Sequence, residues 1–303
     1  MSRIYEALRR AELERKALGE QPLTMVTPPE EAKLADSAPA VMDLMIEDVI
    51  KRTWTPCLDA IPALLDRHEV VEQFRGLRSH LAQARVDAPL KTVLISSGIA
   101  SEGKSFVALN LAASVARGSR NRVLLIDGDL RRPTLHHWLG ASNKPGLSEY
   151  LDRTAEQSEI LQRNDAKNNE KTLLSGLANL AFIAAGACAD NSSELIISSR
   201  LESLIASVSQ HFDWIFIDSP PILSVPDAVD LARVADGVLL VIRDAKTPYQ
   251  AIQRAQAAFR QSRLLGVVLN AAKGAHRNST YYRSYYGGTD QGQESERNKK
   301  VRS

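Results

Sequence analysis

The sequence predicts an α/β fold in which a parallel sheet is covered by helices on both faces, giving three layers. From residue 68 onward, apolar runs of strand length alternate with segments of helical periodicity, which is the pattern of a parallel sheet wrapped by helices. The 303 residues with 44% hydrophobic content suffice for one good-sized core, and only 5% of residues are aromatic. The predicted strands are residues 92–96, 123–127, 180–184, 214–218, 238–242 and 265–270.

The regions before and after this alternating pattern are predicted to be less regular. The first is a charged amphipathic helix whose narrow apolar stripe (Ile4, Leu8, Ala11) is compatible either with docking on a partner or with solvent. The next is a polar, proline-rich linker that becomes ambiguous from residue 41, where Pro56 and Pro62 interrupt any helix. The predicted organisation is an N-terminal helix (1–18), a linker or poorly defined segment (19–66), a folded domain (67–272) and a flexible tyrosine-rich tail (273–303).

Composition argues against several classes of protein. The net charge of +2 and the lack of a basic stripe with interleaved aromatics disfavour nucleic-acid binding. The N-terminus lacks the apolar core of a signal peptide, and the longest apolar stretch, near residues 173–189, is interrupted and falls short of a membrane span. Two distant cysteines, Cys57 and Cys188, fit a reducing cytosol. We therefore expect a cytoplasmic protein that reaches a membrane only through another chain.

The most informative motif lies between the first predicted strand of the domain and the helical segment 106–112. It has the form GxxxxGKS and spans Gly98 to Ser105. Backbone N–H groups at a helix start attract phosphate, Lys104 can reach the terminal phosphates, and the Ser105 hydroxyl can hold magnesium. The order of strand, glycine loop and helix predicts a nucleotide site of the P-loop NTPase type. The predicted binding residues are Gly98, Ser101, Glu102, Gly103, Lys104, Ser105 and Phe106.

Aspartates follow two of the predicted strands. Asp127 and Asp129 end one run and Asp218 ends another, so in a parallel sheet all three should lie at the edge that carries the glycine loop. Magnesium prefers a few oxygen ligands, and we assign Asp129 and Asp218 to it together with Ser105. Asp127 is predicted either to accept a proton from an attacking hydroxyl or to support the metal ligands. Arg131 either neutralises phosphate charge or pairs with a carboxylate.

These motifs resemble those of the bacterial tyrosine kinases that regulate capsule and exopolysaccharide synthesis. The resemblance covers about residues 68–290 and includes the loop, the Asp-x-Asp-x-Arg run beginning at Asp127, and the Asp-Ser-Pro run beginning at Asp218. ParA- and MinD-like ATPases of similar architecture carry a lysine directly after the first loop glycine, where this chain has Ile99. Ala100 and Ser101 replace the Pro and Gly of many family members, and residues 2–8 are similar to versions linked to exosortase gene clusters.

The resemblance implies roles for two further sets of residues. Glu72, Arg75 and Arg78 match a family E-x-x-R-x-x-R helix that builds a ring-shaped homo-oligomer, although spacing alone favours a solvated charged face. The family also implies that a tyrosine cluster in the tail is autophosphorylated, with a neighbouring subunit in the ring as the favoured target. These acceptors are Tyr281, Tyr282, Tyr285 and Tyr286.

The sequence thus predicts an ATP- and Mg²⁺-dependent protein-tyrosine autokinase with Lys104, Asp127, Asp129, Arg131 and Asp218 as catalytic residues. The resemblance implies control of exopolysaccharide polymerisation or export together with a membrane-bound co-polymerase activator. The alternative is a nucleotide-switched ATPase of the ParA and MinD type that phosphorylates no protein. A third hypothesis is a non-catalytic adaptor that only binds nucleotide, and the intact Lys104 and aspartates disfavour it.

Overall fold

The computed structural model describes residues 49–65, 69–118, 121–165, 174–188 and 192–272. The predicted N-terminal helix and the tyrosine cluster of the tail lie outside these residues. Within the described residues no helix is long and apolar enough to cross a membrane.

In the described part of the chain, eight strands form one mixed sheet in the order β1-β4-β5-β3-β6-β2-β7-β8. All neighbouring strands are parallel except β4 and β5, which are antiparallel. The prediction of a purely parallel sheet is therefore wrong for the β4–β5 pair. The strands are β1 Ile50–Arg52, β2 Thr92–Ser97, β3 Val123–Asp127, β4 Leu161–Asn164, β5 Leu180–Ile183, β6 Trp214–Asp218, β7 Gly237–Arg243 and β8 Leu264–Asn270.

Helices cover both faces of the sheet, as predicted. The side chains of each central strand alternate between two cores: Leu94 and Ile126 face one, while Val93 and Leu125 face the other. The second core also holds the helix that follows the glycine loop. The α-helices are α1 Glu69–Asp87, α2 Lys104–Gly118, α3 Leu135–Leu139, α4 Leu147–Leu151, α5 Gln157–Ile160, α6 Ser192–Ile196, α7 Ser199–Ser209, α8 Asp227–Ala232 and α9 Tyr249–Ala258.

The folded structure begins before residue 67, in a segment that was predicted to be linker or poorly defined. Strand β1 pairs with β4, and Trp54 and Leu64 are buried in the core beside α2. The side chain of Asn110 on α2 holds this segment by donating to Ala60 O at 2.9 Å and accepting from Ala63 N–H at 3.1 Å. A three-residue strand and two short 3-10 turns carry almost no periodic signal, which is why the sequence did not reveal them.

Candidate active site

The glycine loop lies where predicted, between the buried strand β2 and the start of α2. Gly103 has φ +94°, and a Cβ there would meet Asn270 Nδ2 at 2.0 Å. The loop therefore needs glycine at this position, both for its backbone conformation and for the close approach of Asn270. Val107 N–H donates to Gly103 O at 2.9 Å, which starts the hydrogen bonding of α2 directly after the loop.

Lys104 is the centre of the site. Its Nζ lies 3.1 Å from Asp129 Oδ2, 3.8 Å from Asp218 Oδ2 and 3.1 Å from Ser105 Oγ. Burial by itself would lower the pKa of Lys104, but the negative charges of Asp218 and Asp129 outweigh it and raise the pKa above its ordinary value. The lysine is therefore a positive charge beside two of the three aspartates, and its predicted contact with the terminal phosphates stays a prediction.

The sheet register brings the aspartates together. Asp127 at the end of β3 stands opposite Asp218 at the end of β6. Gly128 then passes so close to β6 that its N–H donates to Asp218 O at 2.8 Å, and a Cβ at residue 128 would lie 2.6 Å from that oxygen. The glycine between Asp127 and Asp129 is thus required by the packing of one aspartate strand against the other.

Asp127 is completely buried and accepts backbone hydrogen bonds. Its carboxylate accepts from the N–H groups of Asp129 at 3.3 Å and of Thr134 and Leu135 at 3.2 Å each. Burial, with a contribution from Asp218, raises the pKa of Asp127 to about 8. These contacts order the segment that carries Asp129 and the start of α3, and they are compatible with both roles that the sequence predicts for Asp127, support of the metal ligands and acceptance of a proton.

Asp218 has the environment expected of a cation ligand. Both of its carboxylate oxygens are buried, and neither accepts a hydrogen bond of normal geometry from the described residues, although Ser105 and the Ser219 N–H lie close enough to lower the pKa of this carboxylate. Burial raises the pKa of Asp218 to about 6 against the lowering effect of Lys104. No three acidic, histidine or cysteine side chains of the described residues form a metal cluster by themselves. Ser105, Asp129 and Asp218 therefore fit a magnesium ion that takes its remaining ligands from phosphate and water.

Arg131 contacts a different carboxylate. Its Nε lies 3.4 Å from Asp227 Oδ2 and its Nη2 lies 3.3 Å from Ser193 Oγ, so the structure realises the carboxylate-pairing alternative. Burial alone would raise the pKa of Asp227, but hydrogen bonds from Ser193 and Ser192 and the charge of Arg131 outweigh it and lower the pKa. Arg131 thus connects the segment after β3 to α6 and α8.

Two predicted loop residues point their side chains away from the phosphate position. Glu102 is 1% exposed, and its carboxylate accepts from Ile99 N–H at 2.8 Å and from the Thr247 hydroxyl. The ring of Phe106 packs against Phe74 of α1, with 6.1 Å between centroids. The side chains of Glu102 and Phe106 are therefore engaged within the protein, so the predicted phosphate contacts of these two residues fall to their backbone N–H groups.

Sequence reasoning missed three residues that contact the loop from other elements. Arg243 at the end of β7 donates from Nη1 to Ser101 O at 3.0 Å, and Asn270 at the end of β8 donates to Glu102 O at 2.8 Å. Thr247, in the connection that follows β7, donates its hydroxyl to the Glu102 carboxylate. The only signal for Arg243 and Asn270 was their position at the carboxyl ends of predicted strands.

The predicted interface helix uses its three charged residues differently. Glu72 and Arg75 form an exposed ion pair with each other on α1. Arg78 instead donates from Nη1 to Ser114 O at 3.0 Å, and Gly118 leaves room for its guanidinium. Arg78 therefore fastens α1 to α2, while Glu72 and Arg75 remain at the surface.

Comparison with known proteins agrees with this geometry. The AAA domain family matches residues 91–261. Tyrosine-protein kinase YwqD of Bacillus subtilis is 35% identical over 221 residues, which cover 72% of this chain and 87% of the relative. The chain belongs to the bacterial tyrosine-protein kinases. Another relative of this kinase family, CapB of Staphylococcus aureus, is 32% identical over 223 residues, covering 73% of this chain and 91% of CapB.

The solved kinase domain of Escherichia coli tyrosine kinase ETK has the same fold. It superposes with a TM-score of 0.60 at 30% identity, covering 68% of this chain and 78% of the ETK chain. The resemblance inferred from the glycine loop and the aspartate runs is thereby confirmed for this bacterial tyrosine kinase.

Proposed function

We propose that this protein is an ATP-dependent protein-tyrosine autokinase that phosphorylates tyrosines of its own C-terminal segment. The observation that carries the proposal is the convergence of Lys104, Asp129 and Asp218 beside the glycine loop, with Lys104 Nζ within 3.8 Å of both carboxylates. This arrangement supports binding of a nucleoside triphosphate with its terminal phosphates at the start of α2. Family membership supports tyrosine as the acceptor.

The proposed transfer needs positioning more than strong basicity. The phenol oxygen forms a bond to the γ-phosphorus, the bond to the bridging β-oxygen breaks, and ADP leaves with that electron pair. Lys104 neutralises charge on the phosphates, and Asp127 is the proposed acceptor of the phenol proton. Ser105, Asp129 and Asp218 would hold Mg²⁺, which supplies charge neutralisation and orientation of the phosphates.

The proposed acceptors are Tyr281, Tyr282, Tyr285 and Tyr286. Strand β8 ends at Asn270, whose side chain touches the glycine loop, so the chain leaves the fold beside the site. About ten further residues reach Tyr281, and an extended chain of that length spans roughly 35 Å. This reach permits the protein's own site or that of a neighbour, and we propose the neighbour in a ring in which Glu72 and Arg75 lie at the contact.

The cellular role that we propose is regulation of exopolysaccharide polymerisation or export. Each phosphotyrosine adds a charge of about −1.5 to −2, so a modified tail is repelled by a site rich in carboxylates and phosphate. Release of the tail would then loosen the ring. A membrane-bound co-polymerase protein is the proposed activator and would bring the kinase to the membrane.

The test incubates purified protein with Mg-ATP, with and without a membrane activator, and detects phosphotyrosine by mass spectrometry. We expect labelling of the tail that disappears in Lys104→Met and in the variant with all four tyrosines replaced by Phe. Phosphate release to water by the wild type with no labelled tyrosine, even with activator present, would instead identify an ATPase of the ParA and MinD type.

A further inference from the structure

We propose that Thr247 and Glu102 form a latch that holds the glycine loop in the shape that binds phosphate. Thr247 lies in the connection from β7 to α9, outside the nucleotide motif. In this inference neither side chain touches the substrate, so both are positioning residues. The inference concerns nucleotide binding and does not depend on which group receives the phosphoryl group.

The latch is a chain of hydrogen bonds centred on the buried Glu102 carboxylate. Oε2 accepts from Ile99 N–H at 2.8 Å, and Oε1 accepts from the Thr247 hydroxyl. The Thr247 oxygen in turn accepts from Arg243 N–H at 2.9 Å. One hydroxyl therefore joins the end of β7 to the glycine loop by both donating and accepting.

Two other contacts hold the loop backbone from the same side. Arg243 Nη1 donates to Ser101 O, and Asn270 Nδ2 donates to Glu102 O. The side chains of Arg243, Thr247 and Asn270 thus contact two consecutive residues of the loop, Ser101 and Glu102. Such contacts are needed because Ser101 has φ +65° and Gly103 has φ +94°, and a non-glycine residue in the left-handed region is disfavoured.

The position of the Glu102 carboxylate makes the latch important for binding. A carboxylate within a phosphate-binding loop repels an incoming polyphosphate unless it is turned away. Burying it is costly unless hydrogen bonds compensate, and Thr247 supplies one of these bonds. Without the hydroxyl, the loop would spend less time in the competent shape, and the apparent affinity falls in proportion to that population.

The experiment compares Thr247→Val, which keeps the shape but removes the hydroxyl, with Thr247→Ser, which keeps the hydroxyl. Affinity for Mg-ADP is measured by calorimetry, and thermal unfolding is measured without nucleotide. We expect T247V to bind Mg-ADP about tenfold more weakly than wild type, which corresponds to one hydrogen bond to a charged group. We expect T247S to bind within about twofold of wild type.

Thr154→Val is the matched control because the exposed Thr154 hydroxyl, in the segment after α4, donates to Glu149 O and not to the glycine loop. It should bind Mg-ADP like the wild type. If T247V loses its cooperative unfolding transition, Thr247→Ala, which is smaller and cannot crowd the loop, replaces it. Wild-type affinity in the folded valine or alanine variant, or equal weakening in T247S and T247V, would overturn the latch. Absence of tyrosine labelling in wild type would overturn the proposed function and leave this result unaffected.

Discussion

Replacing Gly128 by alanine tests the packing that brings the aspartates together. A Cβ at residue 128 would lie 2.6 Å from Asp218 O and 3.1 Å from Leu231 Cδ1. The first of these atoms belongs to the backbone of β6 and already accepts the Gly128 N–H at 2.8 Å. Because a strand in the middle of the sheet cannot rotate away as a side chain would, we expect β3 and β6 to separate at this end.

The expected cost follows from two effects. Forcing an extra carbon into a packed core costs about 1–3 kcal/mol. Weakening the Gly128–Asp218 backbone hydrogen bond costs about a further 0.5–1.5 kcal/mol. G128A should therefore lose about 1.5–4.5 kcal/mol in free energy of unfolding, or about 3–18 °C in Tm for a domain of this size. The same displacement moves Asp129 relative to Lys104, so Mg-ADP affinity should fall with it.

Urea unfolding measures the loss of stability and calorimetric titration measures the affinity for Mg-ADP, with Gly76→Ala as the matched control. Gly76 lies inside α1, and a Cβ there would have nothing within 4 Å. Gly76→Ala should raise the free energy of unfolding by about 0.5–1 kcal/mol, because alanine is more favourable than glycine in a helix interior. A G128A variant that unfolds within about 0.5 kcal/mol of wild type, the range of ordinary surface substitutions, would refute the predicted clash with β6.

Three other substitutions probe the structure away from the loop. Asp227→Asn should lower the free energy of unfolding by about 1–3 kcal/mol at pH 7, measured in urea. The difference from wild type should shrink below pH about 4, because the lowered pKa of Asp227 stabilises the wild type only while its carboxylate is ionised. Arg78→Ala should lower the free energy of unfolding by about 1–2 kcal/mol in urea while Glu72→Ala stays within about 0.5 kcal/mol, and equal effects would contradict the internal role of Arg78. Trp54→Ala should cost about 3–5 kcal/mol in the same assay, since the ring is 1% exposed and packs edge-on against Phe182.

The sequence was sufficient for the parts of the site that depend on local order along the chain. A glycine loop after one strand and aspartates after two others meet because parallel strands end at one edge, and Lys104 accordingly lies beside Asp129 and Asp218. The six predicted strands are present because each is an apolar run; five are largely buried, and the edge strand β8 is partly exposed. Residues within one motif could therefore be assigned from their neighbours in the chain.

Contacts between distant residues could not be predicted in this way. Arg131 pairs with Asp227, 96 residues away, and Glu102 accepts from Thr247, 145 residues away. A single threonine or aspartate belongs to no sequence pattern from which such a distant partner could be predicted. Strand β4 was missed because four residues with a polar Gln162 and Asn164 resemble a loop, although pairing with both β1 and β5 makes them a strand.

The chemistry of the site depends finally on the register of the three central strands. Ile95 of β2 and Asp127 of β3 stand on either side of Asp218 in β6. A slip of β6 by one residue would turn the Asp218 side chain to the opposite face of the sheet and away from Lys104. Two features oppose this slip: Ser219 donates to Ile95 O from its N–H at 3.2 Å and its hydroxyl at 3.1 Å, and Gly128 N–H donates to Asp218 O. Polar bonds immediately around Asp218 thus fix a register that the apolar strand interiors alone would specify less sharply.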